Sequence, residues 1–124
     1  VKDFSFQISE AFFATESGNK TTVTSQEIQK QTMKNGKDET SHFKLNAEQT
    51  SQLKQALDCL PLESLKPRYV NEKVKDGSGI TFSFKLDGKS YEVSYTNHPL
   101  DANLKELINI LNKITPKETI NYSW

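Results

Sequence analysis

Two histidines and one cysteine, His42, His98 and Cys59, are the residues of this 124-residue chain best suited to nucleophilic, acid–base or metal chemistry. A metal site or a Cys-His pair needs them to converge, and the spacings that bring such groups together locally, C-x2-C or H-E-x-x-H, are absent. His42 alternates with Thr40 and Lys44, which puts it on the outer side of a strand, and His98 stands at a helix start as a capping neighbour. Cys59 falls near the edge of a helical apolar stripe with only Lys54 and Lys66 as basic neighbours, so it reads as a small, partly buried hydrophobe. Carboxylates such as Glu10, Glu27, Glu63, Asp76 and Glu92 are plentiful. Paired acid–base catalysis needs two of them in a dry cleft, whereas each here falls in a turn or on a polar strand face and reads as a solvating charge.

The remaining motif-like stretches are turns. Lys75 to Gly79, KDGSG, lacks the phosphate-loop spacing and precedes a strand, and Asp76 and Asp87 adjoin glycines without the alternating acidic series of a calcium loop. Asn19 and Asn121 match the glycosylation pattern, which matters only in a eukaryotic secretory context. No catalytic residue, metal site or cofactor is assigned. Lys and Arg number 16 against 16 Asp and Glu, so no basic stripe is available for nucleic acid. Arg68 is the only arginine, which disfavours planar recognition of phosphate.

The elements that must position these residues are legible from period and turn chemistry. Phe4, Phe6 and Ile8 alternate as a half-buried strand, and Gly18-Asn19 supplies a hairpin turn. The β-branched run Thr21–Lys34 follows and ends at Asn35-Gly36, a tight-turn dipeptide that sets Ile28 opposite Phe43. With Ile8 and Ile28 inward, Phe13 and Val23 share the outer face. Asn46 and Gln49 form a capping box for a helix carrying Leu53, Leu57 and Leu60, stopped by Pro61. Residues 61–79 contain a short strand or ordered loop around Tyr69, Val70 and Val74. Asp87-Gly88 then joins two alternating strands and pairs Phe84 with Tyr91, Phe82 with Val93 and Ile80 with Tyr95. A second helix carries Leu104, Leu107, Ile108, Leu111 and Ile114, with Pro99 in its first turn, Asn97 or His98 as cap, and Pro116 as its stop. In the tail, residues 115–124, Tyr122 and Trp124 are aromatics expected to dock on the body.

The expected fold is one α+β domain over residues 1–124, an antiparallel sheet of about five strands in the order βββαββα with two helices on one face. The span from Asp76-Gly77 through the hairpin to Asn97-His98-Pro99 and its Leu-rich helix resembles small uncharacterised α+β domains of bacterial exported proteins and lipoproteins. That resemblance covers roughly the C-terminal third and implies an extracytoplasmic location, periplasmic or on the cell surface. A chain beginning at Val1 fits a mature protein whose leader has been removed, and no run approaches the roughly 18 apolar residues of a transmembrane segment.

A non-enzymatic binding or interaction domain is the function these features favour, with a protein partner or a homodimer as its target. Its candidate contact residues are Arg68 and Tyr69 in the 61–79 loop and Phe13 and Val23 on the outer sheet face. The alternatives are a small hydrolase with its site in the same loop, and a dedicated inhibitor or immunity-type protein.

Overall fold

The structure, a computed structural model, describes residues 2–12, 17–34, 37–73, 77–116 and 120–122. Seven strands and two helices follow one another as β1 (Phe4–Phe12), β2 (Ser17–Thr24), β3 (Glu27–Lys34), β4 (Lys37–Lys44), α1 (Ala47–Asp58), β5 (Arg68–Val70), β6 (Ser78–Leu86), β7 (Lys89–Thr96) and α2 (Ala102–Ile114). They form a single sheet in the order β4-β3-β2-β1-β6-β7-β5, antiparallel throughout except for β5, which runs parallel to β7.

Alternation builds the core. Phe4, Phe6 and Ile8 on β1, Ile80, Phe82, Phe84 and Leu86 on β6, and Val93 and Tyr95 on β7 are all buried on one face. Leu53 and Leu57 of α1 and Leu104, Leu107 and Leu111 of α2 belong to the same hydrophobic cluster. Each fully buried aliphatic or aromatic side chain of this kind stabilises the fold by about 1.5–3 kcal/mol relative to exposure. The opposite face carries Ser5, Gln7 and Ser9 on β1 and Thr81, Ser83 and Lys85 on β6. It is joined laterally by bonds such as Gln7 Nε2 to Thr22 Oγ1 at 3.3 Å.

The hairpin registers agree with turn chemistry. Ile28 faces Phe43, and Phe84 faces Tyr91, Phe82 faces Val93 and Ile80 faces Tyr95. Asp87 and Gly88 turn the second hairpin with φ of 48° and 86°, the left-handed pair that a two-residue turn of this hand needs. Asp87 also clamps the N-terminal segment: its Oδ1 accepts from the backbone N–H of Lys2 at 3.0 Å and of Asp3 at 2.8 Å. Those two bonds hold its carboxyl below the usual aspartate range. Asn35-Gly36, Val74 and Trp124 lie outside the described residues.

Two expectations fail at the first half of the sheet. The run Thr21–Lys34 is not one strand: it folds back at Ser25-Gln26, so that Val23 faces Ile28. No glycine, proline or asparagine marks that turn. It is held instead by Thr24 Oγ1, which accepts from the N–H of both Gln26 and Glu27 at 3.3 Å, and by Leu45 N–H donating to Gln26 O at 2.9 Å. Folding back reverses the parity of everything upstream, and Val23 becomes a fully buried core residue between Phe6 and Ile28. Gly18 and Asn19, read as a turn, lie within β2. The extra turn and β5 raise the strand count from about five to seven and change the order to ββββαβββα.

The helix starts divide. Asn46 and Gln49 make the reciprocal capping box at 2.8 and 3.0 Å. The second helix is capped by Asp101, whose Oδ2 accepts from Asn103 N–H at 2.9 Å, and not by Asn97 or His98; Pro99 precedes the helix. Asn97 is committed elsewhere: buried at φ 52°, it holds the start of β6 by accepting from Ser78 N–H through its side chain and donating to Ser78 O. A Cβ on Gly77, at φ 126°, would overlap the Asn97 side chain. Thr115 caps the C-terminal end of α2 directly before Pro116. Tyr122 docks, and its hydroxyl donates to His98 O at 2.7 Å and accepts from His98 N–H at 3.0 Å.

The parity reversal has a measurable consequence. Val23→Thr sets an unpartnered hydroxyl in a dry site and destabilises by about 1–3 kcal/mol. Thr22→Val, on the open face, stays within about 0.5 kcal/mol. Urea unfolding of the two variants checks this, and equal small effects would contradict the inward placement of Val23.

Candidate functional site

The far edge of the sheet, where β5 lies on β7, is the best-defined place at which this chain presents a prepared surface. Three residues suffice to form β5 because their flanks are tied to β7: Ser94 N–H donates to Pro67 O at 2.9 Å and Asn71 N–H to Thr96 O at 3.0 Å. Parallel pairing aligns Arg68 with Ser94, Tyr69 with Tyr95 and Val70 with Thr96. Successive side chains of a strand alternate. Tyr69 therefore turns inward with Tyr95, while Arg68 and Val70 project together on the open face.

Tyr69 is the rear anchor of this strand. Its ring stacks on Tyr95 with centroids 4.7 Å apart and planes 6° from parallel, and meets the His98 ring at 5.2 Å. Its hydroxyl accepts from Lys66 N–H at 3.0 Å, which folds the 61–67 segment onto the strand. Glu63 accepts from the Tyr91 hydroxyl at 3.1 Å, and Leu62 and Leu65 lie against the core. The expected Arg68–Tyr69 pair is thus divided: Tyr69 is half-buried and structural, Arg68 is exposed. Val70, at 39% exposure, is one of two exposed large hydrophobics among the described residues, the other being Met33 at 56%. Val23 leaves the candidate set because it is buried, and Phe13 lies outside the described residues.

The histidines and the cysteine do not converge. His42 projects from β4 at one sheet edge with Nδ1 3.7 Å from a Glu27 carboxylate oxygen. His98 sits beyond the end of β7, its Nδ1–H donating to Pro99 O at 2.8 Å. Cys59 caps the C-terminal end of α1, and is exposed where a partly buried position was expected, while Leu60, just beyond the helix, packs against the core. It borders a groove of about 410 Å³ between the outer sides of α1 and α2, with Gln52, Gln55, Glu106 and Lys113. Among the described residues, no group of three or more His, Cys, Asp or Glu is placed to hold a metal ion, and no helix is long and apolar enough to cross a membrane.

One polar cluster escaped the sequence reading. The inward row of β1 continues past Phe4, Phe6 and Ile8 to Glu10, which is 5% exposed, opposite Asn19 on β2 and Ile80 on β6. Lys30, 7% exposed, follows Ile28 on the inward face of β3. Burial pushes the Glu10 carboxyl above its ordinary 4.5, against the opposing pull of the Asn121 backbone, the Asn19 side chain and the Lys30 charge. Glu10 Oε2 has no hydrogen-bond partner among the described residues. Residues 120–122 lie at this end of the sheet, with Ile120 buried and exchanging 2.7 and 3.1 Å hydrogen bonds with the Asn112 side chain. The signal was available: two more residues of the same alternation reach Glu10, so a solvating role was excluded once β1 ran to Phe12.

Tyr95, in the same inward row, has its phenol pushed up to about 12 by burial, and its hydroxyl makes no hydrogen bond of good geometry among the described residues. Tyr122 is also raised by burial. Neither phenol supplies a phenolate at neutral pH. The β5 edge holds a guanidinium and an apolar side chain side by side on a braced strand. The chain matches no protein-family model and no curated protein.

Because Glu10 is raised in the folded state, its contribution to stability is fully present below 4.5, its unfolded value, and is lost as pH rises through the folded one. Carbon-detected NMR titration is expected to place Glu10 above 4.5. Lys30→Met, by removing the favourable charge, shifts it further up. A Glu10 that titrates at or below the ordinary value would refute this account of the cluster.

Proposed function

We propose that this chain is a non-enzymatic binding domain of an exported bacterial protein or lipoprotein, and that it engages a protein partner through β5. The observation that carries the reading is the pairing of Arg68 with Val70 on the open face of an edge strand whose middle residue, Tyr69, is stacked on Tyr95. Arginine is enriched among the energetic anchors of protein interfaces, and a braced strand loses little conformational entropy when it binds. The free side of β5 also offers backbone groups to an extended segment of the partner. The extracytoplasmic location is supported by the resemblance of the C-terminal third to exported domains. An inhibitor or immunity-type protein would use the same edge, so the partner's identity separates that variant from a general binding module.

A photo-crosslinking amino acid placed at Arg68 or Val70 is expected to capture one discrete partner in cells that produce the protein naturally, while the same group at Gln31 captures none. With that partner purified, Arg68→Ala weakens binding by about 2 kcal/mol, roughly thirtyfold in dissociation constant. Tyr69→Phe keeps the stack and changes affinity little. Crosslinks that do not depend on position, or an affinity unchanged by Arg68→Ala, would overturn the assignment of the site. Recovery of the native protein from the cytoplasm would refute its export.

A further inference from the structure

The two edges of the sheet are built differently. β5 is three residues long, whereas β4 is eight residues long, pairs with β3 without a bulge from Lys37 to Lys44, and contains no proline. Among the described residues no strand is hydrogen-bonded to the outer side of β4. Long, regular edges invite pairing unless they are shortened, bulged, covered or made repulsive. The side chains of β4 are mostly exposed, so covering by the described residues is not the device used here. The remaining protection is charge, and its signs decide the outcome.

The strand reads KDETSHFK, with Asp38 and Glu39 near one end and Lys44 at the other. A single-sign edge would repel a copy of itself; this one is self-complementary when antiparallel. We infer that β4 is a homodimer interface, in which two copies pair edge to edge about a two-fold axis centred on Ser41. In that register Asp38 lies opposite Lys44 of the second copy and, by symmetry, Lys44 opposite Asp38, while Thr40 meets His42. Directly opposed residues stand about 4.5–5.5 Å apart at Cβ, within ion-pair reach. Each Lys44 is also opposite Glu27 on β3, so in the dimer its ammonium lies between two carboxylates. Asp38 faces the exposed Met33 on β3, and the Lys44 stem of the second copy reaches toward that side chain.

Competing registers are poorer. Centring the pair between Thr40 and Ser41 opposes Lys37 to Lys44 twice and sets each side chain opposite one that points to the other face, which a regular pleat does not allow. Centring it on Thr40 loses both Asp38–Lys44 pairs and offers only Asp38 with His42. The Ser41 register keeps both helical layers on one side and yields one continuous sheet that ends on a copy of β5 at either edge. This inference stands apart from the proposed role of β5, but a dimer of this form would present that edge twice and bind a repeated or dimeric partner with avidity.

Sedimentation velocity and light scattering of the intact chain across a concentration series are expected to show a reversible dimer that weakens with added salt. Asp38→Lys and Lys44→Asp each raise the dimer dissociation constant about tenfold or more, because symmetry makes every reversal count twice. The combined D38K and K44D variant restores it, and circular dichroism verifies that all three are folded. Amide exchange gives an independent reading: β4 amides become protected with rising concentration in the wild type. Val70→Glu, at the opposite edge, leaves dimerisation unchanged. A chain that stays monomeric at the highest concentration, a dimer indifferent to the single reversals, failure of the double reversal to rescue, or loss of the dimer in Val70→Glu would each overturn the proposal.

Discussion

The pairing of β1 with β6 is the constraint on which the rest of the molecule depends. It joins the N-terminal four strands to the C-terminal hairpin through nine consecutive residue pairs, Phe4 with Leu86 to Phe12 with Ser78. Its inward members, including Phe6 against Phe84 at a ring separation of 5.6 Å, form the centre of the core. Every other pair among the described strands except β5–β7 joins strands adjacent in the chain. β1–β6 joins strands far apart in the chain, and it overcomes the loop-closure entropy of the intervening residues by burying apolar surface. A slip of one residue would turn Phe4, Phe6 and Ile8 to water, so burial fixes the register as well as the contact.

That central pairing explains where polar residues end up buried. The inward face is dry where helices cover it, and toward the far end of β1 the same alternation carries Glu10 and, two strands away, Lys30 into buried positions. A buried carboxyl is tolerated there because the Asn121 backbone, Asn19 and the Lys30 charge offset part of its desolvation. The tail in turn is held by side-chain-to-backbone bonds at Asn112 and Tyr122. This end of the domain is thus organised by polar satisfaction and the helical end by apolar packing.

The edges follow from the same topology. Because α1 leads the chain from β4 across to the opposite side, the sheet is left with one long antiparallel edge and one short parallel edge braced by aromatic stacking. Recognition through side chains suits the short edge, where Tyr69 is immobilised and Arg68 and Val70 are displayed. The long one carries an unbroken row of paired residues from Lys37 to Lys44.

Local chemistry was legible where a residue type forces a backbone state or a period. Asp87-Gly88, the capping box of Asn46 and Gln49, and the Leu stripes of both helices follow from steric and hydrogen-bonding preferences that act over a few residues. The α+β class and the cross-strand partners of both tight hairpins follow with them. The turn at Ser25-Gln26 was not legible, because Thr24 and the contact from Leu45 make it, and neither leaves a turn signature in composition. Through that turn the placement of Val23 was decided by tertiary structure, as was the cap of α2, since Asn97 is used to hold the start of β6. The candidate site shares this division. Sequence marks Arg68 and Tyr69 as an unusual pair, but which of them faces out depends on parallel pairing with β7, a contact between distant segments that local preference does not encode.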